Sequence, residues 1–258
     1  MKEKLLKYTC EGARIHIVFL NDAVRQMQKA HALSEEDASR LGQAAAIAQC
    51  LTADRKEDNA SVAVTLRFPD AGKNYVAIAE IDGRVRGMCE NAERSVSGEV
   101  VLEVTQKLTV RGDYSSIVEG TDTEDAIAQY YKTSQQVEAR CAVLTFGDTY
   151  CCLSVEQFPI TCEAEEIYRH AADREWEYLR PFITATELTD SSLDIFKKYR
   201  KVAETPLKFG CTCTRRSVRA ALSAIDEEEL KKIADGDGFV SVNCKYCGKH
   251  YRIDISEG

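Results

Sequence analysis

Near the end of this chain stand two close cysteine pairs, and they constrain its fold more than any other feature. Cys211 and Cys213 form a C-x-C pair; thirty residues later Cys244 and Cys247 form a C-x-x-C pair followed by Gly248. Cysteines two or three apart can place both sulfurs on one ion while the backbone turns tightly beneath it. Two such pairs complete a tetrahedron with Zn–S bonds of about 2.3 Å. The spacing therefore predicts one zinc site with Cys211, Cys213, Cys244 and Cys247 as ligands. Four thiolates leave no position for water or substrate, so the predicted site is structural in kind. His250 could replace a ligand, but four cysteines already suffice. A lone C-x-x-C would also suit a redox motif of the thioredoxin type. That reading needs a strand–helix context early in an α/β domain, and here the motif lies between predicted strands at the end of the sequence.

The residues around the pairs suit a small scaffold. Val218, Leu222 and Ile225 are spaced to line one face of a helix. Asp226 and Glu229 open a second helix in capping-box fashion, and Gly236 can end it. FVSVNC and HYRIDI read as strands flanking the knuckle. A module of about 50 residues rarely folds on its apolar core alone, so metal is expected to supply its stability.

The whole chain has 258 residues and a net charge of −8. Residues 1–205 carry 25 basic and 34 acidic groups, residues 206–258 nine and eight. Neither part shows the basic face that tracks a nucleic-acid backbone, so no nucleic acid is expected as partner. No apolar run approaches the roughly 20 residues that span a bilayer. The start, MKEKLLKYTCEGARIHIVFL, places Arg14 and His16 where a signal peptide needs an apolar core, and reads as a strand with a charged lead. The expected location is cytoplasmic, where thiols stay reduced. Of the eleven cysteines, Cys10, Cys50, Cys89, Cys141, Cys151, Cys152 and Cys162 read as small buried hydrophobes. Adjacent Cys151 and Cys152 point to opposite faces of a strand and make a poor disulfide. His16, His31 and His170 show no partner pattern, and the acidic residues read as solvated surface. No nucleophile elbow, phosphate loop, H-E-x-x-H or dinucleotide fingerprint occurs, so an enzyme is not expected.

Upstream of the cysteines the pattern is α+β: an N-terminal antiparallel sheet with helices packed over one side. Asn21 to His31 and Ser34 to Ala53 read as helices, the second opened by Ser34 and Asp37. SVAVTLRF alternates as a strand, YVAIAEI turns at Asp82-Gly83 into RVRGMC, and GEVVLEVTQKLTV is further strand. Thr123 to Gln136 is helical in pattern, and EARCAVLTF pairs with YCCLSVEQF across Gly147-Asp148. Cys162 to Leu179 favours helix and should end before Pro181. Residues 181–205 are too apolar for a solvated linker and too short for their own core, which predicts a segment draped on a neighbouring surface. The division expected is a core over residues 1–160, a helical, apolar linker over 161–205 and a zinc module over 206–258.

The tail, with D-E-E-E-L between the cysteine pairs and an aromatic strand after them, resembles the bacterial heat-shock protein 33 kDa family of redox-regulated chaperones. AHALSEEDASRLGQAAAIAQCL, the IDGRVRG hairpin, the DYSSIVEG turn, the YYKTSQQV helix end and the strand ending at Phe158-Pro159 extend the resemblance upstream. The chain departs from the family at Ser134-Gln135-Gln136 and at Cys151 to Glu156. The resemblance implies a holdase that works without ATP and is inactive when reduced and zinc-bound. Oxidation would form the disulfides Cys211–Cys213 and Cys244–Cys247, expel the zinc, unfold the module and release the linker. Unfolding client proteins would then bind, with a homodimer possible in the oxidised form. The other reading of the tail is a zinc-ribbon-type adaptor acting on nucleic acid or a protein, with Arg215, Arg216 and Arg219 as a basic stripe.

Overall fold

The computed structural model describes residues 1–91, 99–108 and 112–255. Strands β1 (Lys4–Cys10) and β2 (Ala13–Leu20) lead into helices α1 (Asp22–His31) and α2 (Glu35–Leu51). Five strands follow: β3 (Ser61–Phe68), β4 (Lys73–Glu80), β5 (Arg84–Asn91), β6 (Val100–Leu108) and β7 (Gly112–Gly120). Helix α3 (Thr123–Tyr130) unwinds through a π turn, Tyr131–Gln135, into the hairpin β8 (Ala139–Phe146) and β9 (Thr149–Gln157). Helix α4 (Ala171–Ile183), a 3-10 stretch (Asp190–Lys198) and strands β10 (Arg200–Pro206) and β11 (Lys208–Phe209) complete the larger body. The tail holds α5 (Arg215–Leu222), α6 (Glu227–Ile233), β12 (Phe239–Asn243) and β13 (His250–Asp254).

The expected α+β class holds, but two sheets stand where one was expected. One has strand order β10-β1-β2-β9-β8, the other β11-β5-β4-β3-β6-β7. Helix α2 lies between them instead of over one side. Ser34 caps it, its hydroxyl accepting from the Asp37 N–H at 3.1 Å. Its alanines let both sheets approach, so it is buried nearly all round from Asp37 to Leu51. Gly42 sits against the Tyr150 ring, where a Cβ would meet ring carbons at 2.7 Å.

The first sheet is covered on both faces, which explains why β2 and β9 read as nearly continuous apolar runs. Val18, Leu20 and Cys152 face α2; Ile15, Ile17, Phe19, Cys151, Leu153 and Val155 face the other way. On that outer face Leu179 and Phe182 of α4, Phe196 and Tyr199 pack, with the Phe182 and Phe196 rings edge-on at 5.2 Å. Residues 171–199 thus lie on the sheet through apolar and aromatic contacts.

Several local expectations change. Helix α4 runs through Pro181. The bond that proline forfeits would go to the Glu177 carbonyl on the exposed face, and the ladder resumes with Thr184 N–H to Arg180 C=O at 2.9 Å. DYSSIVEG is the strand β7, not a turn. Residues 200–206 are strand, not helix: β10 pairs antiparallel with β1. In the tail, α5 ends at Leu222, leaving Ile225 outside it and exposed, and α6 ends at Ile233, before Gly236. Asp226 caps α6 by accepting from the Glu228 N–H at 2.9 Å, without a capping box. The strand GEVVLEVTQKLTV is present as β6; Gly98 and residues 109–110 lie outside the described residues.

Candidate metal centre

The fold brings the two cysteine pairs together from two segments. Cys211 and Cys213 occupy the stretch between β11 and α5, whose Thr214 cap accepts from the Ser217 N–H at 3.0 Å. Cys244 and Cys247 sit in the knuckle joining β12 to β13. That turn is closed by Cys244 N–H to Lys249 C=O and Gly248 N–H to Cys244 C=O, both at 2.9 Å. Gly248 takes φ +69°, open to glycine and strained for other residues. All four sulfurs lie within 4.8 Å of one another. Sulfurs meet across the pairs, Cys211 to Cys244 at 3.7 Å and Cys213 to Cys247 at 3.4 Å. Four soft donors converging on one point, half-buried and with no acidic side chain among them, fit a zinc or similar thiophilic ion. His250 is not among them; its Nδ1 pairs with Asn243 Oδ1 at 2.9 Å.

Tyr251 is a participant that spacing did not reveal. Its hydroxyl donates to both the Cys213 carbonyl and the Cys213 sulfur at 3.1 Å. Burial pushes the Cys211 thiol up to about 12. At Cys213 burial acts in the same sense, but hydrogen bonds from Tyr251 and the neighbouring thiols win and bring it down to about 7.

The knuckle also docks on the larger body. His31, the last residue of α1, places Nε2 3.1 Å from the Tyr246 carbonyl. The Arg86 guanidinium lies 5.5 Å from the Tyr246 ring centroid, and Lys245 pairs with Glu90 at 3.4 Å. His31 thus has a partner, on a segment 215 residues away. Arg215, Arg216 and Arg219 lie on the exposed side of α5, while Leu222 faces the module's interior.

A second polar cluster lies inside the larger body. Glu156 is fully buried, with Arg14 Nη2 at 2.6 Å and His16 Nδ1 at 3.3 Å. Arg14 also reaches Asp54 at 3.0 Å. These residues correct the expectation that His16 lacks a partner and that the acidic residues are all solvated. The clue in the sequence is a polar pair on a strand buried on both faces. Arg14 already supplies the cation between both carboxylates, so the cluster is a charge network. Among the other cysteines Cys50, Cys141, Cys151 and Cys152 are buried, and Cys151 and Cys152 face opposite cores as expected. Burial pushes the Cys141 and Cys151 thiols well up, away from the reactive thiolate. The buried reading does not hold for the other three: Cys10 and Cys89 are half-buried and Cys162 is exposed.

The family model described as Hsp33 protein matches residues 3–254. The chain belongs to the Hsp33 family. Curated Hsp33 relatives carry the name 33 kDa chaperonin. The one from Streptococcus mutans is 24% identical over 285 residues, covering 99% of this chain and 97% of its own. The one from Pseudomonas aeruginosa is 25% identical over 263 residues, covering 95% and 88%. A crystal structure of the Hsp33 homologue from Thermotoga maritima superposes with a TM-score of 0.75 at 21% identity, over 100% of this chain and 96% of that one. At that identity the match speaks for the fold. Membership gives the chain a chaperone's role in broad terms, and the relatives are named for that role and not for catalysis. Among the described residues no helix is long and apolar enough to cross a membrane.

Proposed function

We propose that this chain is a redox-regulated holdase: inactive while Cys211, Cys213, Cys244 and Cys247 are reduced and hold zinc, active once they are oxidised. The observation that carries the reading is the convergence of four sulfurs in a module with little other reason to fold. Its buried apolar side chains, among the described residues, are Leu222, Val240, Tyr251 and Ile253. Bound zinc would supply the cross-link, a contribution on the order of 10–16 kcal/mol in small zinc peptides.

The chemistry of the switch belongs to the cysteines. Each disulfide takes two electrons from a pair of thiolates, and a peroxide accepts them with two protons from solvent to give two waters. Sulfurs joined in this way no longer donate as thiolates, and the module loses its cross-link. We assign the disulfides to Cys211–Cys213 and Cys244–Cys247. Proximity in the folded module does not single out that pairing, since sulfurs also meet across the pairs. Once the module opens, partners two or three residues apart stay close, while partners over thirty apart must close a long loop. Peptide mapping of the oxidised protein tests the assignment.

With the module unfolded, residues 161–205 lose their downstream anchor. Phe182, Phe196 and Tyr199 can then leave Ile15, Ile17, Phe19 and Leu153, and both surfaces become available to apolar segments of unfolding proteins. No ATP is called for, in keeping with the lack of a phosphate-binding loop, and a homodimer in the oxidised form follows from the same exposed surfaces. Aggregation of a thermally unfolding client is measured with reduced and with peroxide-treated protein, alongside zinc and thiol quantitation. The expected result is one zinc and four thiols lost together with a gain in suppression. Zinc loss without that gain would overturn the reading.

A further inference from the structure

The segment that joins the larger body to the cysteine module covers one edge of each sheet. Strand β10 pairs with β1, from Lys4 opposite Pro206 to Thr9 opposite Arg200. One residue further on, β11 pairs in parallel with β5, Lys208 opposite Arg84 and Phe209 opposite Val85. The crossing is held by backbone: Leu207 N–H donates to Glu3 C=O at 3.2 Å, Lys208 N–H to Gly83 C=O at 3.0 Å and Gly210 N–H to Val85 C=O at 3.0 Å. Side chains of β10 add little, with Arg200, Lys201, Val202, Glu204 and Pro206 all exposed and Val202 at 59%. Apolar burial is confined to the end of the segment, where Leu207 is buried and Phe209 packs partly against the core.

This occupant is attached mainly through groups that every polypeptide has. An uncovered sheet edge is a template for any extended chain, and backbone pairing gives affinity without reading sequence. The segment is also tied to the switch, because β11 ends two residues before Cys211. We propose that residues 200–209 are a placeholder. Their release bares β1 and β5, and an extended segment of an unfolding polypeptide adds there as a strand, with apolar side chains in the positions of Leu207 and Phe209. The proposal rests on the holdase reading and places client capture at the sheet edges, in addition to any apolar face.

The probe is a fluorescent peptide with the sequence of residues 199–210 of this chain, titrated into the reduced and the oxidised full-length protein. Two further peptides carry backbone N-methyl groups. One has them at Leu207 and Lys208, whose N–H groups face the edges. The other has one at Phe209, which alternates with Lys208 and Gly210 and points its N–H away from β5. The oxidised protein is expected to bind the parent peptide at least about tenfold more tightly than the reduced protein does. Methylation at 207 and 208 should weaken binding by about tenfold or more, and methylation at 209 by less than about twofold. Equal binding of all three peptides, or no binding to the oxidised protein, overturns the proposal. Aggregation suppression is measured on the same samples. Suppression without edge-dependent binding removes the edge proposal and leaves the holdase, whereas absent suppression removes the holdase and leaves the peptide result to decide the edges.

Discussion

At Glu156 the protein keeps a carboxylate where no water reaches it. Burial pushes its pKa up, but the neighbouring His16, and then the Arg14 guanidinium bonded to it, outweigh burial and hold it at about 2. A carboxyl depressed in the folded state adds stability above its unfolded pKa, near 4.3, and that contribution fades as pH falls from there through about 2. Asp54 works the other way: burial, then the charge of Glu156, raises its pKa, so the penalty it carries is relieved as pH falls. Urea unfolding should therefore show stability declining below about pH 4.5, by no more than about 3 kcal/mol from Glu156. Glu156→Gln takes the buried carboxylate from Arg14, leaving it Asp54, and is expected to cost about 3 kcal/mol at neutral pH while flattening that acid limb. An unchanged acid limb in the variant would remove Glu156 as its source. At the cysteines, Tyr251→Phe deletes the hydroxyl that donates to the Cys213 sulfur. Outer partners of metal ligands matter by about 10- to 100-fold in affinity, so competition with a chromophoric chelator should show zinc retention weakened by at least tenfold. These residues differ in how legible they were. The cysteine pairs announce themselves because their chemistry is written in local spacing. Arg14 and Glu156 stand 142 residues apart, and only the pairing of β2 with β9 joins them.

Among elements, those with a strong local period are the ones found where expected: both early helices, the β8–β9 hairpin and the strands around the knuckle. What local pattern did not convey is which element lies between which. Helix α2 carries alanine on every side, which suits a helix pressed between two sheets, yet its period alone reads as one buried face. Strand β10 is mostly polar and exposed, so nothing in its composition marks it as a strand; its partner β1 imposes the conformation. Gly83 is the point where that segment meets the rest. It takes φ +88°, and a Cβ there would lie 2.1 Å from the Pro206 carbonyl oxygen. The obstacle is backbone, so no side-chain rotation relieves it. Gly83→Ala should loosen residues 206–210 from β5 while leaving the β2–β9 pairing intact. Hydrogen exchange at Lys208 and Gly210 is expected to speed up by about tenfold or more. Unchanged protection there would show that the crossing tolerates the methyl group.

On the scale of the whole molecule, the larger body and the cysteine module rest on different kinds of support. The larger body has two apolar clusters, one between its sheets around α2 and one beneath α4 and the 190–198 stretch. The module has a handful of buried side chains and the sulfur cluster. Among the described residues the contacts that join the two bodies include polar and cation–aromatic ones: His31 to the Tyr246 carbonyl, Arg86 to the Tyr246 ring and Lys245 to Glu90. Such contacts position a folded module but cannot fold one, since exposed pairs contribute about 1 kcal/mol or less. Removing zinc from the fully reduced protein with a strong chelator should therefore unfold the module without any disulfide forming. Circular dichroism should lose the contribution of α5 and α6, and limited proteolysis should cut within residues 206–255 while a fragment containing β1 to β9 resists. That fragment should still unfold cooperatively on heating, because residues beyond 205 enter its apolar clusters only through Leu207 and Phe209, in one of the two. If the chelated, reduced protein also suppresses aggregation, the disulfides matter only as a way of discarding the metal. A module that keeps its protease resistance after chelation would mean that the sulfurs are not what hold it, and the redox switch would fall with them.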